Sequence, residues 1–353
     1  MIISGRVYVI TLPLKTEFKN SQNSVAKRKL AILKVTNERG ISGYGELPLF
    51  ETPFYTQETL EMAIQEIKNE FKVLKGHTGL EYRFHTHSCG ARSCIDMALY
   101  HLYSQESGRA LSSLLGSVRS SIEAGIVFGL EPIEDVLAKS KEAIEQGYKR
   151  IKLKVDRESC IERVAKFREN FRESTLLLDG NMAFSLSDSA VLKKLEHYCV
   201  LLIEEPLFKK NFSEYAQLKK EMTTPIFADE SYENFTELVQ LSKLNLFEGV
   251  NLKLCKIGSI EAFKSAYKLL QSKGIKTMIG SMVESSLSKS FHAHFASWSH
   301  ITAPDLSDYR RYFTSDILKN NLEVNEGKIA IQEDIIVDEK ALKLVCSCEI
   351  ELN

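Results

Sequence analysis

A series of five charged residues at nearly equal intervals constrains the fold of this chain more than any other feature. Successive members lie 25, 25, 25 and 24 residues apart, and each one ends a short apolar segment. Such segments are typical of strands buried on both faces, as in a parallel sheet. One strand, one helix and two loops together need roughly 24 residues, so each interval fits one βα unit. The residues are Lys154, Asp179, Glu204, Asp229 and Lys253.

The spacing therefore predicts repeated βα units whose strands end on one face of a barrel, the face that carries active sites in such folds. Counting in both directions from the charged series gives eight strands, the number that closes a barrel. We expect these strands at residues 122–128, 151–155, 175–179, 200–204, 225–229, 249–253, 276–280 and 301–304.

The chain on either side of the barrel has a different pattern. Two strands and a third that ends at Glu46 precede two amphipathic helices, which is typical of an α+β domain. The expected strands are residues 2–12 and 29–36, and the expected helices are 57–75 and 91–106. After about residue 318 the segments LEVNEGKIAI and LKLVCSCEIEL alternate like strands and are expected to pair with the first domain.

The predicted fold is thus α/β: a modified TIM barrel of the (β/α)7β type. An α+β N-terminal capping domain, completed by the C-terminal tail, accompanies it. The expected boundaries are 1–116 for the capping domain, 117–318 for the catalytic barrel and 319–353 for the returning C-terminal segment.

The amino-acid composition bears on the class of partner and on the compartment. The 353 residues include 46 basic and 47 acidic ones, and this balance does not favour nucleic acid or a membrane surface. No apolar segment approaches the ~20 residues of a membrane span. The seven cysteines form no regular framework, which favours reduced thiols in the cytoplasm. His85, His87 and Cys89 lack a fourth zinc ligand, so a solvated loop is the favoured interpretation there.

Three carboxylates that converge on one rim must be compensated. At about 5 Å each pair repels by roughly 3 kcal/mol at an effective dielectric near 20. A cation must lie among them, or they must be protonated or held apart. Oxygen ligands without nearby Cys or His favour a hard ion such as Mg²⁺, with Mn²⁺ as a substitute.

The two lysines of the series indicate proton transfer. Lys154 can act as a base if its pKa falls toward neutrality, and the neighbouring charge of Lys152 and of a metal favours that. Lys253 lies almost opposite Lys154 around an eight-strand ring. Two ammonium groups facing a metal suit removal of a proton α to a carboxylate, since the metal stabilises the enediolate that results. The expected ligand is therefore a small carboxylate.

Five sequence motifs at these positions resemble the enolase superfamily, muconate-lactonising subgroup. They are Lys152-Leu-Lys154, DGN at 179–181, IEEP at 203–206, ADES at 228–231 and NLKLCKIG at 251–258. The resemblance implies that Asp179, Glu204 and Asp229 hold Mg²⁺. It also implies that Lys154 and Lys253 form the acid/base pair, with Lys152 in support. Glu205 replaces a frequent Gln beside a metal ligand, and its charge is expected to alter metal affinity.

Finer features resemble the o-succinylbenzoate synthases and the related N-acylamino acid racemases. They are ETPFYTQET at 51–59, GYKRIKLKV at 147–155 and PDLSDYRRYFTSDI at 304–317. This resemblance implies dehydration of 2-succinyl-6-hydroxy-2,4-cyclohexadiene-1-carboxylate in menaquinone biosynthesis. Racemisation of N-acylamino acids stays open, and so does dipeptide epimerisation, which GSMVESS at 280–286 resembles. A non-catalytic barrel that acts as a binding protein is the alternative from another class. The sequence is compatible with a homo-oligomer.

Substrate contacts are expected from the capping loops and the late strands. The loop from Thr16 to Ser24 is a candidate lid that excludes water from the barrel mouth. For its aromatic residues, and for those near residue 54, packing within the capping domain is an equal alternative. The candidate substrate-binding residues are Phe18, Phe54, Tyr55, Asn181, Glu284 and Asp305.

Overall fold

The computed structural model describes residues 1–19, 24–53 and 56–353, with the side chains of residues 16–26 also outside the description. Its strands, in chain order, are β1 (Ile2–Lys19), β2 (Ser24–Asn37), β3 (Ser42–Leu47), β4 (Ser121–Glu123), β5 (Gly125–Phe128), β6 (Arg150–Lys154), β7 (Thr175–Asp179), β8 (Val200–Glu204), β9 (Ile226–Ala228), β10 (Gly249–Leu252), β11 (Lys276–Ile279), β12 (Val324–Asn325), β13 (Lys328–Ala330) and β14 (Cys346–Leu352).

Twelve α-helices accompany these strands within the described ranges. They are α1 (Leu60–Leu74), α2 (Cys89–Ser107), α3 (Leu111–Leu115), α4 (Ile133–Glu145), α5 (Cys160–Asn170), α6 (Ser189–Leu195), α7 (Phe212–Glu221), α8 (Phe235–Leu241), α9 (Leu254–Ile257), α10 (Ile260–Ser272), α11 (Ser286–Ala296) and α12 (Glu339–Val345). Short 3-10 turns lie at Leu186–Asp188, Glu196–Tyr198 and Tyr309–Arg311.

The N-terminal domain is an antiparallel sheet of order β14-β1-β2-β3, with α1 and α2 packed on it. Strands β1 and β2 run well past the predicted limits of residues 12 and 29. The ladder continues through Leu12–Arg28 and Pro13–Lys27 and resumes, after an irregularity, at Phe18–Val25 and Lys19–Ser24. Gly43 and Gly45 lie within β3, where a Cβ would overlap the backbone of α2, so the close approach of this helix requires glycine.

The barrel contains a parallel sheet of seven strands in sequence order, β5 to β11. The predicted eighth strand at 301–304 is wrong as regular structure, because only Ile301 bridges to Thr277. The segment nevertheless closes the ring. It donates Thr302 N–H to the Thr277 carbonyl at 2.8 Å and Asp305 N–H to the Ile279 carbonyl at 2.7 Å, and the carbonyl of Leu306 accepts from the β5 side. Pro304 explains the irregularity, since it has no N–H to donate to a ladder.

The first barrel segment and the tail also differ from expectation. The predicted strand 122–128 is divided at Ala124 into β4, which pairs with β13, and β5, which enters the barrel. In the tail, the first four residues of LKLVCSCEIEL form the end of helix α12, whose N-terminus is capped by the Asp338 carboxylate. The remaining seven are β14, which pairs antiparallel with β1 from Gly5–Leu352 to Ile10–Cys346. A strand from the end of the sequence therefore forms an edge of the N-terminal sheet.

Apolar side chains fill the barrel below its mouth. A separate interior cluster comprises Leu177, Leu202, Phe227, Met278 and Ala303, all buried. Because the interior is packed, polar chemistry is confined to the ends of the strands. No helix in the described ranges is both long enough and apolar enough to cross a bilayer.

Candidate active site

The charged residues of the sequence series lie together at the carboxyl ends of neighbouring strands. Lys154, Asp179 and Glu204 are the last residues of β6, β7 and β8 and stand in register across the sheet. Asp229 and Lys253 directly follow β9 and β10. All five side chains are buried. The regular βα spacing thus produces one compact charged site.

Lys152 contacts three of the surrounding carboxylates. Its Nζ lies 2.7 Å from Glu204 Oε2 and 3.2 Å from both Asp179 Oδ2 and Asp305 Oδ2. Burial acts to lower the pKa of Lys152, but these carboxylates outweigh it and hold that pKa well above its usual value. The charge of Lys152 therefore compensates the acidic groups. From the sequence, that charge was expected to lower the pKa of Lys154.

Lys154 is held by a chain of polar contacts. Its Nζ lies 3.4 Å from Asp179 Oδ2 and donates a hydrogen bond to Asn181 Oδ1. The Asn181 amide in turn donates to Glu230 Oε1 at 3.1 Å. Asn181 has a left-handed backbone (φ 39°), which asparagine tolerates better than most residues. Asn181 is predicted as a substrate contact; in the structure its side chain hydrogen-bonds both Lys154 and Glu230.

Asp229 is bound by two lysines at once. Lys253 Nζ lies 2.5 Å from Asp229 Oδ2, and Lys256 Nζ lies 2.9 Å from Oδ1. Burial alone would raise the pKa of Asp229, but the two ammonium groups lower it far below its usual range. Sequence reasoning missed Lys256. Its position three residues after Lys253, on the helical turn α9, was the available signal.

Glu204 has the least compensated charge of the three predicted metal ligands. Its Oε1 accepts from the Asn251 amide at 2.8 Å, and Lys152 pairs with Oε2. Burial, followed by repulsion from Asp179 and Asp229, raises the pKa of Glu204 to about 8. The site therefore favours an additional positive charge among these carboxylates.

The fit of a metal ion can be judged from these groups. Asp179, Glu204 and Asp229 supply only carboxylate oxygens on adjacent strands, which suits a hard divalent cation. Their oxygens are paired with lysine ammonium groups, and within the described ranges no three Asp, Glu, His or Cys side chains converge as a metal site would require. The carboxylate oxygens are thus ligands that suit Mg²⁺, but in this structure they face lysine ammonium groups and do not converge on one point.

Glu205, whose charge is predicted to alter metal affinity, is hydrogen-bonded within the fold beside the predicted metal ligands. Its side chain is fully buried and accepts from the backbone N–H groups of Asp229 (2.8 Å) and Ser231 (3.1 Å). It also accepts from the Tyr215 hydroxyl at 2.8 Å and from the Ser231 hydroxyl. Glu205 therefore fixes the segment that carries Asp229.

A narrow cavity of about 30 Å³ opens at this site. Both Lys154 and Lys253 line it, as do residues that the sequence analysis did not identify. Tyr312 lies in the RRYF segment, and the other five were hidden because they carry apolar or uncharged side chains in or just after strands. The additional lining residues are Val127, Asn251, Ser281, Met282, Val283 and Tyr312.

The predicted substrate contacts have different locations. Asp305 lines the cavity beside Lys152. Glu284 does not; it is fully buried, with Oε2 2.9 Å from His292 Nδ1 and Oε1 accepting from the Met282 N–H at 3.2 Å. Its carboxylate is thus used inside the fold. Phe54 and Tyr55 lie outside the described residues, as does the side chain of Phe18, whose backbone pairs with Val25.

A much larger cavity, about 1330 Å³, lies elsewhere, between α1, residues 85–89 and residues 233–234. None of the strand-end lysines or carboxylates lines it. His85, His87 and Cys89 do, but His85 Nδ1 lies 3.3 Å from Glu70, and the three form no metal-binding group. The chemistry of the small cavity, and not the volume of this groove, identifies the candidate active site.

Comparison with known proteins agrees with the fold and the site. Residues 135–335 match the family model described as enolase C-terminal domain-like. Residues 5–116 match the mandelate racemase / muconate lactonizing enzyme N-terminal domain. The chain belongs to the enolase superfamily, as its motifs predicted.

Individual relatives cover nearly the whole chain. It is 30% identical over 356 residues to the o-succinylbenzoate synthase of Enterococcus faecalis, covering 95% of this chain and 94% of that protein. It is also 30% identical over 344 residues to the N-succinylamino acid racemase of Thermus thermophilus, with coverage of 95% and 93%. A crystal structure of an enolase superfamily member from Listeria innocua superposes with a TM-score of 0.91 at 27% identity, covering 100% of this chain and 99% of that one. The modified barrel with its capping domain is thereby confirmed.

Proposed function

We propose that the protein removes the proton α to the carboxylate of a small organic acid, forming an enediolate between Lys154 and Lys253. The observation that carries this proposal is that both lysines line one cavity while each is paired with a different carboxylate. Lys154 contacts Asp179, and Lys253 contacts Asp229. A substrate carbon between them would have an acid/base group on each face.

We further propose that Asp179, Glu204 and Asp229 hold Mg²⁺, which Mn²⁺ can replace. Enolase-superfamily sites combine a Lys or His base with Mg²⁺ that stabilises the enediolate. The raised pKa of Glu204, caused by burial and by its acidic neighbours, supports a divalent cation at this position. The residues around the carboxylates would then hold them in place: Lys152, Asn251 and Glu205.

In its finer form, the proposal is that the protein is an o-succinylbenzoate synthase of menaquinone biosynthesis. Lys154 would take the α-proton of 2-succinyl-6-hydroxy-2,4-cyclohexadiene-1-carboxylate. The C–O bond to the hydroxyl would then break, and the same proton would leave with the hydroxyl as water, giving the aromatic product. Lys253 would stabilise the enediolate through its charge. The similarity to the Enterococcus faecalis synthase supports this choice.

Racemisation of an N-acylamino acid is the second candidate. The equal identity to the Thermus thermophilus racemase favours it, and so does the presence of a lysine on each side of the cavity. In that reaction one lysine would remove the α-proton and keep it, and the ammonium group of the other lysine would donate its own proton to the opposite face of the carbon.

Dipeptide epimerisation receives less support. Asp308 would be needed with Asp305 to bind a dipeptide amine, but Asp308 is engaged by Arg310, with Oδ1 2.8 Å from Nε and Oδ2 2.6 Å from Nη2. Its Oδ2 also accepts from the Val324 N–H at 3.0 Å. A non-catalytic binding barrel is disfavoured because every charged residue of the sequence series is retained at the site.

The proposal extends to the partners and the compartment of the protein. We infer that it binds a small carboxylate and neither nucleic acid nor a membrane. A homo-oligomer is compatible with the sequence. The seven cysteines are unpaired, which supports a reducing compartment such as the cytoplasm.

One experiment tests the reaction and orders the candidates. Purified protein with Mg²⁺ is assayed on the cyclohexadiene substrate, a panel of N-succinylamino acids and a panel of dipeptides, in D₂O and with EDTA as control. We expect dehydration of the cyclohexadiene substrate and expect EDTA to abolish it. Fast racemisation with α-deuteration but without dehydration would make the racemase the function. Neither dehydration nor α-exchange in any of the compounds would refute the proposal.

A further inference from the structure

One wall of the candidate active-site cavity belongs to a strained segment. Ser281, Met282 and Val283 follow β11 and line the cavity. Val283 has a left-handed backbone (φ 59°), a conformation that is costly for a β-branched residue. Such a conformation persists only where surrounding contacts enforce it. The contacts that enforce it come from the capping domain.

The first of these contacts is Arg28 on β2, whose side chain is almost fully buried (1% exposed). Its Nε donates to the Val283 carbonyl at 3.0 Å, and Nη2 donates to the Met282 carbonyl at 3.1 Å. On its other side the guanidinium donates to carbonyls of the capping domain, including that of Leu49 at 3.1 Å. The guanidinium also donates to the carbonyls of Pro48 and of Lys29, the latter at 2.9 Å.

The second contact is Glu46 on β3, which is fully buried just beyond the wall. Its carboxylate accepts from the backbone N–H groups of Ser285 (3.0 Å) and Ser288 (3.1 Å) and from the Ser285 hydroxyl. Arg28 therefore binds carbonyls within the wall, and Glu46 binds amides at the start of α11. Two charged residues of the capping domain hold the segment on both sides of Val283.

We propose that Arg28 is a positioning residue that fixes the Ser281–Val283 wall against the capping domain. By fixing this wall, Arg28 determines which carboxylate substrates fit the cavity, according to the group they carry distal to the α-carbon. The inference rests on the proposed function for its specificity part. Arginine suits this role because its planar group offers five donors in a fixed geometry, enough for carbonyls of two domains. A lysine ammonium has three donors at one point and cannot span them.

The test compares two arginines at opposite ends of the barrel whose guanidinium groups both donate hydrogen bonds to backbone carbonyls. Arg168 also donates to backbone carbonyls, among them those of Tyr198 (2.9 Å) and Ser174 (2.8 Å), which precede β8 and β7. Arg168→Lys is therefore a matched control for Arg28→Lys. Two measurements are made on both variants: backbone hydrogen exchange over residues 281–288, and the ratio of kcat/KM between two carboxylates that differ only in the group distal to the α-carbon.

We expect Arg28→Lys to raise exchange over 281–288 and to change the substrate ratio by about tenfold or more, mainly through KM. Arg168→Lys should leave both unchanged, even if it lowers the Tm. An unchanged ratio and unchanged exchange in Arg28→Lys would overturn the inference, as would equal changes in the control.

Glu46→Gln provides a second variant if Arg28→Lys does not fold. It keeps the side-chain size but removes one acceptor oxygen facing Ser285 and Ser288, so it should change the same two measurements in the same direction. Failure of the proposed function is distinguishable: the wild-type protein would then turn over no carboxylate, while hydrogen exchange would still decide whether Arg28 holds the wall.

Discussion

The ammonium group of Lys256 binds both the backbone carbonyl and the carboxylate of Asp229. Its Nζ lies 2.8 Å from the Asp229 carbonyl oxygen and 2.9 Å from Oδ1, and the lysine is completely buried. The other carboxylate oxygen is thereby left to Lys253. A candidate metal ligand and a candidate catalytic lysine thus depend on a third residue that lies behind them.

We expect Lys256→Met to lower the free energy of unfolding by about 3–5 kcal/mol, because it leaves a buried carboxylate with half of its compensation. Lys289→Met is the control. Lys289 is equally buried, but its Nζ has no hydrogen-bond partner among the described residues. Removing that charge should cost much less or even stabilise the protein. Urea denaturation of both variants measures the difference, and equal losses would contradict this account of Lys256.

The two lysines in the cavity should be separable by isotope exchange. Lys154→Ala and Lys253→Ala are each expected to lower turnover by roughly 10²- to 10⁴-fold, the range for loss of an acid/base group. In a racemase, each variant should still exchange the α-proton of one enantiomer with D₂O, and the two variants should act on opposite enantiomers. NMR of each enantiomer follows the exchange. If either variant keeps full activity, that lysine has no catalytic role.

Magnesium should stabilise the folded protein through the three strand-end carboxylates. An ion that binds only the folded state contributes about 2.7 kcal/mol when present at 100 times its Kd. The rise in Tm with MgCl₂ is expected in the wild-type protein and in Asp308→Asn, whose carboxylate is engaged by Arg310. It should disappear in Asp179→Asn. A Tm shift that persists in Asp179→Asn would place the ion elsewhere.

A pH-dependent contribution to stability is expected from Asp96 on α2. Its Oδ2 accepts from the Ile260 N–H at 2.6 Å, and burial raises its pKa to about 7. The usual value is about 3.9, so between these pH values the folded state binds more protons than the unfolded state. This group therefore lowers the free energy of unfolding as pH rises through that window.

Asp96→Asn removes that slope while keeping an acceptor for Ile260. The difference in free energy of unfolding between the variant and the wild-type protein should rise, in favour of the variant, by up to about 4 kcal/mol from pH 4 to pH 8. Urea denaturation at several pH values measures it, with Asp135→Asn on the exposed side of α4 as the control. A difference that does not change with pH would show that the Asp96 carboxyl does not titrate in this range.

The barrel was predictable because its constraint is repetitive. Apolar segments that end in a charge every 25 residues permit few other folds, and the positions of Lys154, Asp179 and Glu204 at strand ends follow from that rhythm. The periodicity could not show that the eighth strand is irregular. The single residue Pro304 changes the hydrogen bonding of this segment without changing its apolar pattern. The boundaries of β1 and β2 failed for the opposite reason: a long two-stranded ladder can continue through polar residues.

Contacts between distant parts of the chain were the other limit. Glu284 and Asp305 look alike in sequence, as single acids near strand ends. The structure turns the first toward His292 and the second toward Lys152. Arg28 carried no signal either, since its partners are backbone carbonyls that any sequence supplies. Such roles depend on packing between domains, which a pattern in one segment cannot contain.

The pairing of β14 with β1 has a consequence for how the protein is made. Gly5 faces Leu352 across this ladder, and the whole barrel separates the two strands in the chain. During synthesis the barrel strands emerge in order and can pair with their neighbours, whereas the N-terminal sheet must wait for its last edge. Because loop closure over so long a separation is slow, we expect this sheet, whose Arg28 and Glu46 contact the segment beside the candidate active-site cavity, to be the last part of the molecule to mature.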